Sequence, residues 1–369
     1  MGNPPSAPSP DVVLEVQDLV KYYPVKRGVV FKRTVGQVRA VDGVSLALRR
    51  GRTLGLVGES GSGKSTLAKV LVGVEQPTSG RILVDGIDVS AMKRAQRREL
   101  RRRIQLVFQD PYTALNPRMP AGEIVGEAYA IHPRLVPKGG RARAVRELFD
   151  LVGLNPDHVN RYPHQFSGGQ RQRLGIARAL AVKPQILICD EPVSALDVSI
   201  QGQVINLLER LQDELGLAYL FIAHDLAVVR HIADEVAVMY LGSVVERGTE
   251  TEVYEQTRHP YTRALMSAVP LPDPSMRHRR EEIVLSGDVP SPAAPPSGCR
   301  FHTRCWLAPL VAGAASDSAD VTIDEPAAVP AVCRTDRPEL LPQGPPDHLA
   351  ACHFAEKLTE NTTRAEAAR

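Results

Sequence analysis

The chain of 369 residues predicts an α/β fold with a mainly parallel core sheet. Three observations predict it. Short β-rich runs alternate with helical patterns from about Val12 to about Val269, as strand–helix–strand units do. One apolar run, Thr53–Val57, passes straight into a glycine-rich turn. The stretch from about Ala114 to Arg161 breaks the alternation and is mostly helical in pattern, so it reads as a helical subdomain inserted between two core strands.

Leu14–Val16 and Val44–Leu48 read as early strands, followed by the buried strand Thr53–Val57. Ile104–Phe108, Ile186–Cys189, Tyr219–Ala223 and Val236–Tyr240 are further apolar runs of strand length. Helical periodicity marks Thr66–Val72, Ala142–Leu151, Gln170–Ala181 and Ile200–Leu215. From Pro270 to Gly298 the chain fills with Pro and Ser and loses periodicity, as a linker does. The expected organisation is a disordered start over 1–10 and one large domain over 11–269, with its helical subdomain at about 111–170. A Pro-rich linker over 270–298, a cysteine-containing region over 299–354 and a disordered tail over 355–369 follow. No internal repeat is visible.

Hydrophobic residues at 43% and charged residues at 24% are ordinary for a soluble globular protein. A formal charge of +3 and 5% aromatics argue against a nucleic-acid partner. The basic run Lys93–Arg103 reads as a solvated helix face near a membrane surface, because no groove-reading motif accompanies it. No apolar run approaches the ~20 residues of a membrane-spanning helix. Met1–Pro10 lacks the pattern of a signal peptide. A cytoplasmic chain is expected, one that serves a membrane only by docking onto other chains.

Gly58-Glu59-Ser60-Gly61-Ser62-Gly63-Lys64-Ser65 has the phosphate-loop pattern, with a strand before it and a helix after it. Glycines let backbone N–H groups turn inward around phosphate oxygens, and the helix N-terminus adds partial positive charge. Lys64 is expected to reach the β- and γ-phosphates of a nucleotide, and Ser65, followed by Thr66, to ligate Mg²⁺. Ile186–Cys189 then carries two carboxylates out of a buried strand. Asp190 is placed to hold Mg²⁺, and Glu191 to polarise an attacking water.

Ser167-Gly168-Gly169-Gln170 opens a helical pattern and offers a second anion site. With it the sequence resembles the ABC ATPase family, over roughly Val12 to Val269. Gln109 ends a strand as the family's Q-loop glutamine does. Ser194-Ala195-Leu196-Asp197 resembles the D-loop, and His224 the switch histidine. Tyr23, or its neighbour Tyr22, sits where the family places an aromatic on adenine. The resemblance implies a P-loop ABC ATPase domain with an antiparallel β part beside the parallel core. It also implies ATP sandwiched between two such domains, with Gly169 of one facing the γ-phosphate held by the other. Glu191, His224 and Gln109 then act in hydrolysis, and Ser65, Gln109 and Asp190 hold Mg²⁺. A small-molecule kinase is excluded by Ser167–Gln170. A non-transport ABC ATPase is the competing reading, opposed by the single signature and the lack of a heptad run.

Phe108–Arg118, Glu191–Ser199 and His259–Leu265 resemble the oligopeptide/dipeptide importer branch, as does the tail from Gly287 through Cys305. That branch pairs two related ATPase chains, here an expected heterodimer, under two transmembrane permeases at the cytoplasmic face of the membrane. An extracellular solute-binding protein delivers the cargo. Nickel- and sugar-specific relatives share the motifs, so nickel or another solute is the alternative.

Cys299, Cys305, Cys333 and Cys352 cluster near the C-terminus without Cys-x-x-Cys pairs. Some peptide-importer ATPases resembling this chain carry an iron–sulfur cluster, so these four thiols could hold a [4Fe-4S] cluster. Zinc and free thiols are the alternatives. A long insertion between Cys305 and Cys333, and Trp306 where proline is expected, depart from the branch.

Overall fold

A computed structural model describes residues 11–27, 33–89, 92, 101–110, 114–268, 282–312 and 329–358. The expected disordered start, most of the expected tail, part of the linker and most of the Cys305–Cys333 insertion lie outside these residues. So do residues 93–100 of the basic run and Pro111, Tyr112 and Thr113 of the Phe108–Arg118 motif.

β1 (Val12–Arg27) and β2 (Arg33–Arg49) run far beyond the short strands expected from Leu14–Val16 and Val44–Leu48. The reason is visible in β2. Its second half alternates buried and exposed residues, whereas its first half is mostly exposed and carries no apolar period to read. β3 (Thr53–Val57) is buried at every position and leads to α1 (Lys64–Leu71). β4 (Ser79–Val84) and β5 (Ile87–Asp88) follow, completing a sheet in the order β2-β1-β4-β5. Their turn, Asp85-Gly86, has φ of 47° and 75°, the type I′ geometry that suits a two-residue hairpin.

The described residues form two compact units. One draws on the described residues within 1–19, 45–54 and 65–223, the other on those within 20–44, 55–64 and 224–369.

In the first unit β6 (Ile104–Val107), β7 (Ile186–Asp190) and β8 (Ala218–Ile222) are parallel neighbours, with Ile104 opposite Ile186 and Ile186 opposite Ala218. Between β6 and β7 come α2 (Ala121–Ile131), α3 (Arg141–Leu151) and α4 (Gly168–Leu180), and no strand among the described residues. Val125, Phe149 and Leu174 bury the facing sides of these helices completely. α5 (Val198–Leu215) ends on Gly216 at φ 64°, the left-handed cap that glycine takes without a Cβ penalty. Of the basic run, Arg103 pairs with Asp85 at 2.8 Å and Arg101 donates to the Gly73 carbonyl at 3.0 Å.

The second unit contains α6 (Leu226–Ile232), β9 (Glu235–Tyr240), β10 (Ser243–Thr249), α7 (Glu250–Glu255) and α8 (Pro260–Ser267). The tail adds α9 (Ala308–Val311), α10 (Ala331–Thr335), β11 (Leu341–Pro342) and β12 (Leu349–Ala350). These strands are antiparallel in the order β11-β12-β10-β9, with Glu246 opposite Ala350. The β9–β10 turn is Leu241-Gly242, at φ 42° and 82°. Leucine rarely accepts that backbone, so the sequence carries no Asn-Gly signal and β10 goes unread.

A buried carboxylate ties the tail into the second unit. Asp42 accepts from Tyr22 and pairs with Arg300 and Arg337. Arg300 also donates to the Leu241 carbonyl, and at 3.1 Å to the Ser243 hydroxyl. Burial alone raises the Asp42 pKa, but Tyr22, Arg300 and Arg337 outweigh it and hold the carboxyl below its usual range.

Candidate active site

The turn from Gly58 to Lys64 runs directly against other backbone. A Cβ on Gly63, at φ 108°, would lie 2.1 Å from the Ala40 carbonyl oxygen, and one on Gly58 would lie 2.2 Å from that of Met239. No side chain fits there, which is why glycine stands at both places. Gly242 N–H donates to the Ser62 carbonyl at 2.8 Å, holding the middle of the turn. Ser60 and Gly61 face solvent. The Lys64 ammonium is buried and donates to the Gly58 carbonyl (2.6 Å), the Glu59 carbonyl (2.9 Å) and Ser62 Oγ (3.3 Å).

Ser65 and Thr66 stand in the first turn of α1. Ser65 Oγ donates to Asp190 Oδ1 at 3.1 Å, and Asp190 is buried at the end of β7. Glu191 follows at φ 48°, a left-handed conformation for a long side chain and one that structures keep where neighbours over-determine it. Two such neighbours are seen. Glu191 N–H donates to the Ile222 carbonyl at 2.9 Å, and Gln109 Nε2 donates to Glu191 Oε2 at 2.7 Å. The structure thus brings together Ser65 with Asp190 and Gln109 with Glu191.

Ser167 caps α4. Its hydroxyl accepts from Gln170 N–H at 3.3 Å, and Gln170 Oε1 accepts from Ser167 N–H at 3.0 Å, a reciprocal capping box. Gly168 and Gly169 form the first turn. A Cβ on Gly169 would sit 2.5 Å from Ile200 Cγ2, so glycine lets α4 and α5 approach closely. Exposed Asp197 caps α5 through its carbonyl, which accepts from Ile200 and Gln201 N–H. His224 is exposed just after β8, where Asp225 caps α6. Tyr23 is half-buried with the Lys21 ammonium 4.8 Å over its ring, while Tyr22 is engaged by Asp42.

Two features escape sequence reasoning. The first is a clamp on Glu59, whose N–H donates to Tyr261 Oη at 2.8 Å and whose carboxylate takes both arms of Arg304 at 2.8 and 3.2 Å. The second is a groove of about 710 Å³ lined by Val74, Leu106, Phe108, Ile124, Ile131 and Arg178 among others. Phe108 and Ile131 are 45% and 49% exposed there, too much for core side chains. The Arg178 guanidinium lies 5.5 Å from the Phe108 ring. The motifs around Phe108 and His259–Leu265 were the only signals of either.

Cys299, Cys305, Cys333 and Cys352 line one narrow cavity of about 20 Å³ together with His259 and Phe301. Burial and the neighbouring thiols push Cys305 and Cys352 up to about 12 and Cys333 up to about 11. Burial also raises Cys299. Among the described residues, however, no group of three or more His, Cys, Asp or Glu is arranged to hold a metal ion. The iron–sulfur expectation thus finds its donor residues gathered but no metal-binding arrangement of them.

Comparison with known proteins places the chain. A profile described as ABC transporter matches residues 41–194, and one described as the C-terminal region of oligopeptide/dipeptide transporters matches 245–309. The chain is 48% identical over 350 residues to the oligopeptide transport ATP-binding protein AppF of Bacillus subtilis, covering 95% of this chain and 99% of that protein. It is 54% identical over 299 residues to OppF of Salmonella typhimurium, covering 80% and 89%. Among solved structures, cbiO1 from Clostridium perfringens, part of the ABC transporter complex cbiONQ, aligns at a TM-score of 0.57 and 29% identity over 67% of this chain and 92% of that one. The ATP-binding cassette MJ0796, a dimer bound to ADP and phosphate, gives the same score and identity over 64% and 98%. The fold and the phosphate-loop motifs therefore define an ABC-type ATPase. Within that class the chain belongs to the oligopeptide/dipeptide transporter family of ATP-binding subunits.

His259 makes this region sensitive to acid. It is 1% exposed, its Nδ1 accepts from Tyr261 N–H at 3.1 Å, and burial pushes its pKa down to about 3. Unfolded histidine binds a proton below about 6.5, whereas folded His259 stays neutral until far lower. Its contribution is full above pH ~6.5 and falls by up to about 1.4 kcal/mol per pH unit between there and 3. Urea unfolding at pH 7.5 and 5 should show this loss in the parent. The slope should be shallower in His259→Asn, whose amide oxygen can take the same N–H.

Proposed function

We propose that this chain powers the import of oligopeptides or dipeptides by hydrolysing ATP beneath partner permeases. The observation that carries the reading is the likeness to AppF along nearly the whole of both chains, tail included. Gly58, Ser60, Gly61, Ser62, Gly63 and Thr66 belong to the phosphate cradle. Lys64 exchanges the loop oxygens it now holds for the β- and γ-phosphates. Ser65, Gln109 and Asp190 are the Mg²⁺ ligands, and the 3.1 Å Ser65–Asp190 contact supports two of them. The metal neutralises charge on the phosphates when bound.

Glu191 is the general base in this reading. Gln109 holds its carboxylate at 2.7 Å, so any displacement of Gln109 is felt at the attacking water. His224 and Asp197 complete the site, and Tyr23 stacks on adenine. Ser167, Gly168, Gly169 and Gln170 present a capped helix N-terminus to the nucleotide of a second, related ATPase chain. Glu191→Gln keeps the shape and the Gln109 contact but cannot take a proton. It should bind ATP as the parent does and lose at least about 100-fold in turnover, the size of a general-base contribution. Parental turnover in that variant would remove Glu191 from the role.

The permease reading rests on the groove beside Gln109. Its apolar lining and exposed Phe108 suit an amphipathic segment of a permease, and an occupant there lies one residue from the group that holds Glu191. The likeness to oligopeptide transport ATP-binding subunits supports a peripheral place at the cytoplasmic face, and no helix among the described residues is long and apolar enough to cross a membrane. A solute-binding protein outside the membrane completes the system. Phe108→Glu should abolish co-purification with co-expressed permeases and leave ATP binding intact. Undiminished co-purification would move the docking surface elsewhere, and a system carrying nickel instead of peptides would replace the substrate alone.

The [4Fe-4S] reading of Cys299, Cys305, Cys333 and Cys352 rests only on their lining one cavity, since no metal-binding arrangement of them is found among the described residues. Its expected result is stoichiometric iron and acid-labile sulfide in protein purified without oxygen. Metal-free protein that binds ATP normally would end that reading and leave the ATPase untouched.

A further inference from the structure

The tail reaches the phosphate loop at one residue. Arg304 lies next to Cys305 in sequence, its side chain is 7% exposed, and both ends of its guanidinium meet the Glu59 carboxylate at 2.8 and 3.2 Å. A forked, charge-assisted pair of this kind fixes direction as well as distance. Burial lowers the Arg304 pKa, but the hydrogen bonds to Glu59 and Tyr240 outweigh it and raise the pKa above its usual value.

Glu59 is the second residue of the loop, and its three polar groups are each held by different partners. Tyr261 Oη takes the N–H, Arg304 takes the carboxylate, and the carbonyl accepts from Lys64 and from the Ser62 N–H. The partners outside the loop are themselves packed together. Phe301, 1% exposed, lies 5.3 Å from the Tyr240 ring and 5.4 Å from the Tyr261 ring, and Tyr240 and Tyr261 lie 4.7 Å apart. Trp306 Nε1 donates to the Pro260 carbonyl at 3.0 Å, one residue before Tyr261. The cysteine cavity shares Phe301 and Pro260 with this assembly.

All three donors of the Lys64 ammonium are engaged by Gly58, Glu59 and Ser62, so each bond it makes to a phosphate oxygen replaces one to the loop. When Lys64 turns to phosphate, the Glu59 carbonyl keeps the Ser62 N–H at 3.2 Å, and Tyr261 and Arg304 are the partners that hold Glu59 from outside the loop. The geometry points to Arg304 as a positioning residue for ATP: the cysteine-containing tail holds the phosphate loop in its binding form through the Arg304–Glu59 fork. In this inference Arg304 acts through Glu59. The inference rests on the reading of Gly58–Ser65 as the ATP site.

The test is equilibrium binding of ATP with Mg²⁺ to the full chain and its variants. Arg304→Ala should raise the Kd for ATP about tenfold, the equivalent of one charge-assisted hydrogen bond. Glu59→Gln, which leaves the tail's own packing alone, should weaken binding similarly. The double variant should be no weaker than the worse single one, because both remove the same contact. Arg304→Lys, one ammonium in place of a fork, should recover part of the loss. A purely structural arginine would lower the melting temperature without this non-additivity or this partial rescue. If Arg304→Ala fails to fold, Glu59→Gln decides, and parental affinity there overturns the proposal. Strictly additive losses overturn it too. If the parent chain itself shows no saturable ATP binding, the assignment of the ATP site fails first and takes this inference with it.

Discussion

Everything at the nucleotide end depends on a close approach of backbone to backbone. Gly58 and Gly63 press the phosphate loop against the carbonyls of Met239 and Ala40 at distances no side chain allows. A loop so constrained has few conformations left to lose when an anion arrives, and pre-organisation of that sort converts directly into affinity. The strand β3 delivers the loop to this place because all five of its residues are buried. The glycines, the buried strand and the lysine at the loop's end form one device, and each part is idle without the others.

The carboxylates are organised on a different principle. Asp190 and Glu191 are adjacent, yet their surroundings differ. Asp190 is buried and receives the Ser65 hydroxyl, whereas Glu191 is half-buried, turned into a left-handed conformation and gripped by Gln109. The change of backbone direction between consecutive residues sends the two side chains to separate partners. A cation site and a proton acceptor can then arise from one strand end without competing for the same space.

Much of this was legible in the residues. The phosphate loop, the strand before Asp190 and the signature Ser167–Gln170 follow from chemistry that tolerates few residue types at fixed spacing, and the structure puts each on the element its pattern predicts. Legibility failed where structure is held by partners far away in the chain. The exposed half of β2 has no apolar period. β10 turns on a leucine in glycine's conformation, and β12 is a two-residue strand held by register with β10. The Arg304–Glu59 pair spans 245 residues and leaves no local trace. The four cysteines could be counted from the sequence, but only coordinates reveal that they line one cavity.

The Asp42–Arg300 pair has a consequence for how the protein is made. The two residues are separated by 258 positions, so a chain leaving the ribosome exposes Asp42 long before its cationic partner is synthesised. Contacts of such sequence separation close late, and an early segment waiting for them is the part most open to misassembly. The strand that carries Asp42, β2, also supplies Ala40, one wall of the phosphate loop. A chain terminated before Arg300 lacks the buried cation that neutralises Asp42, two residues from that wall.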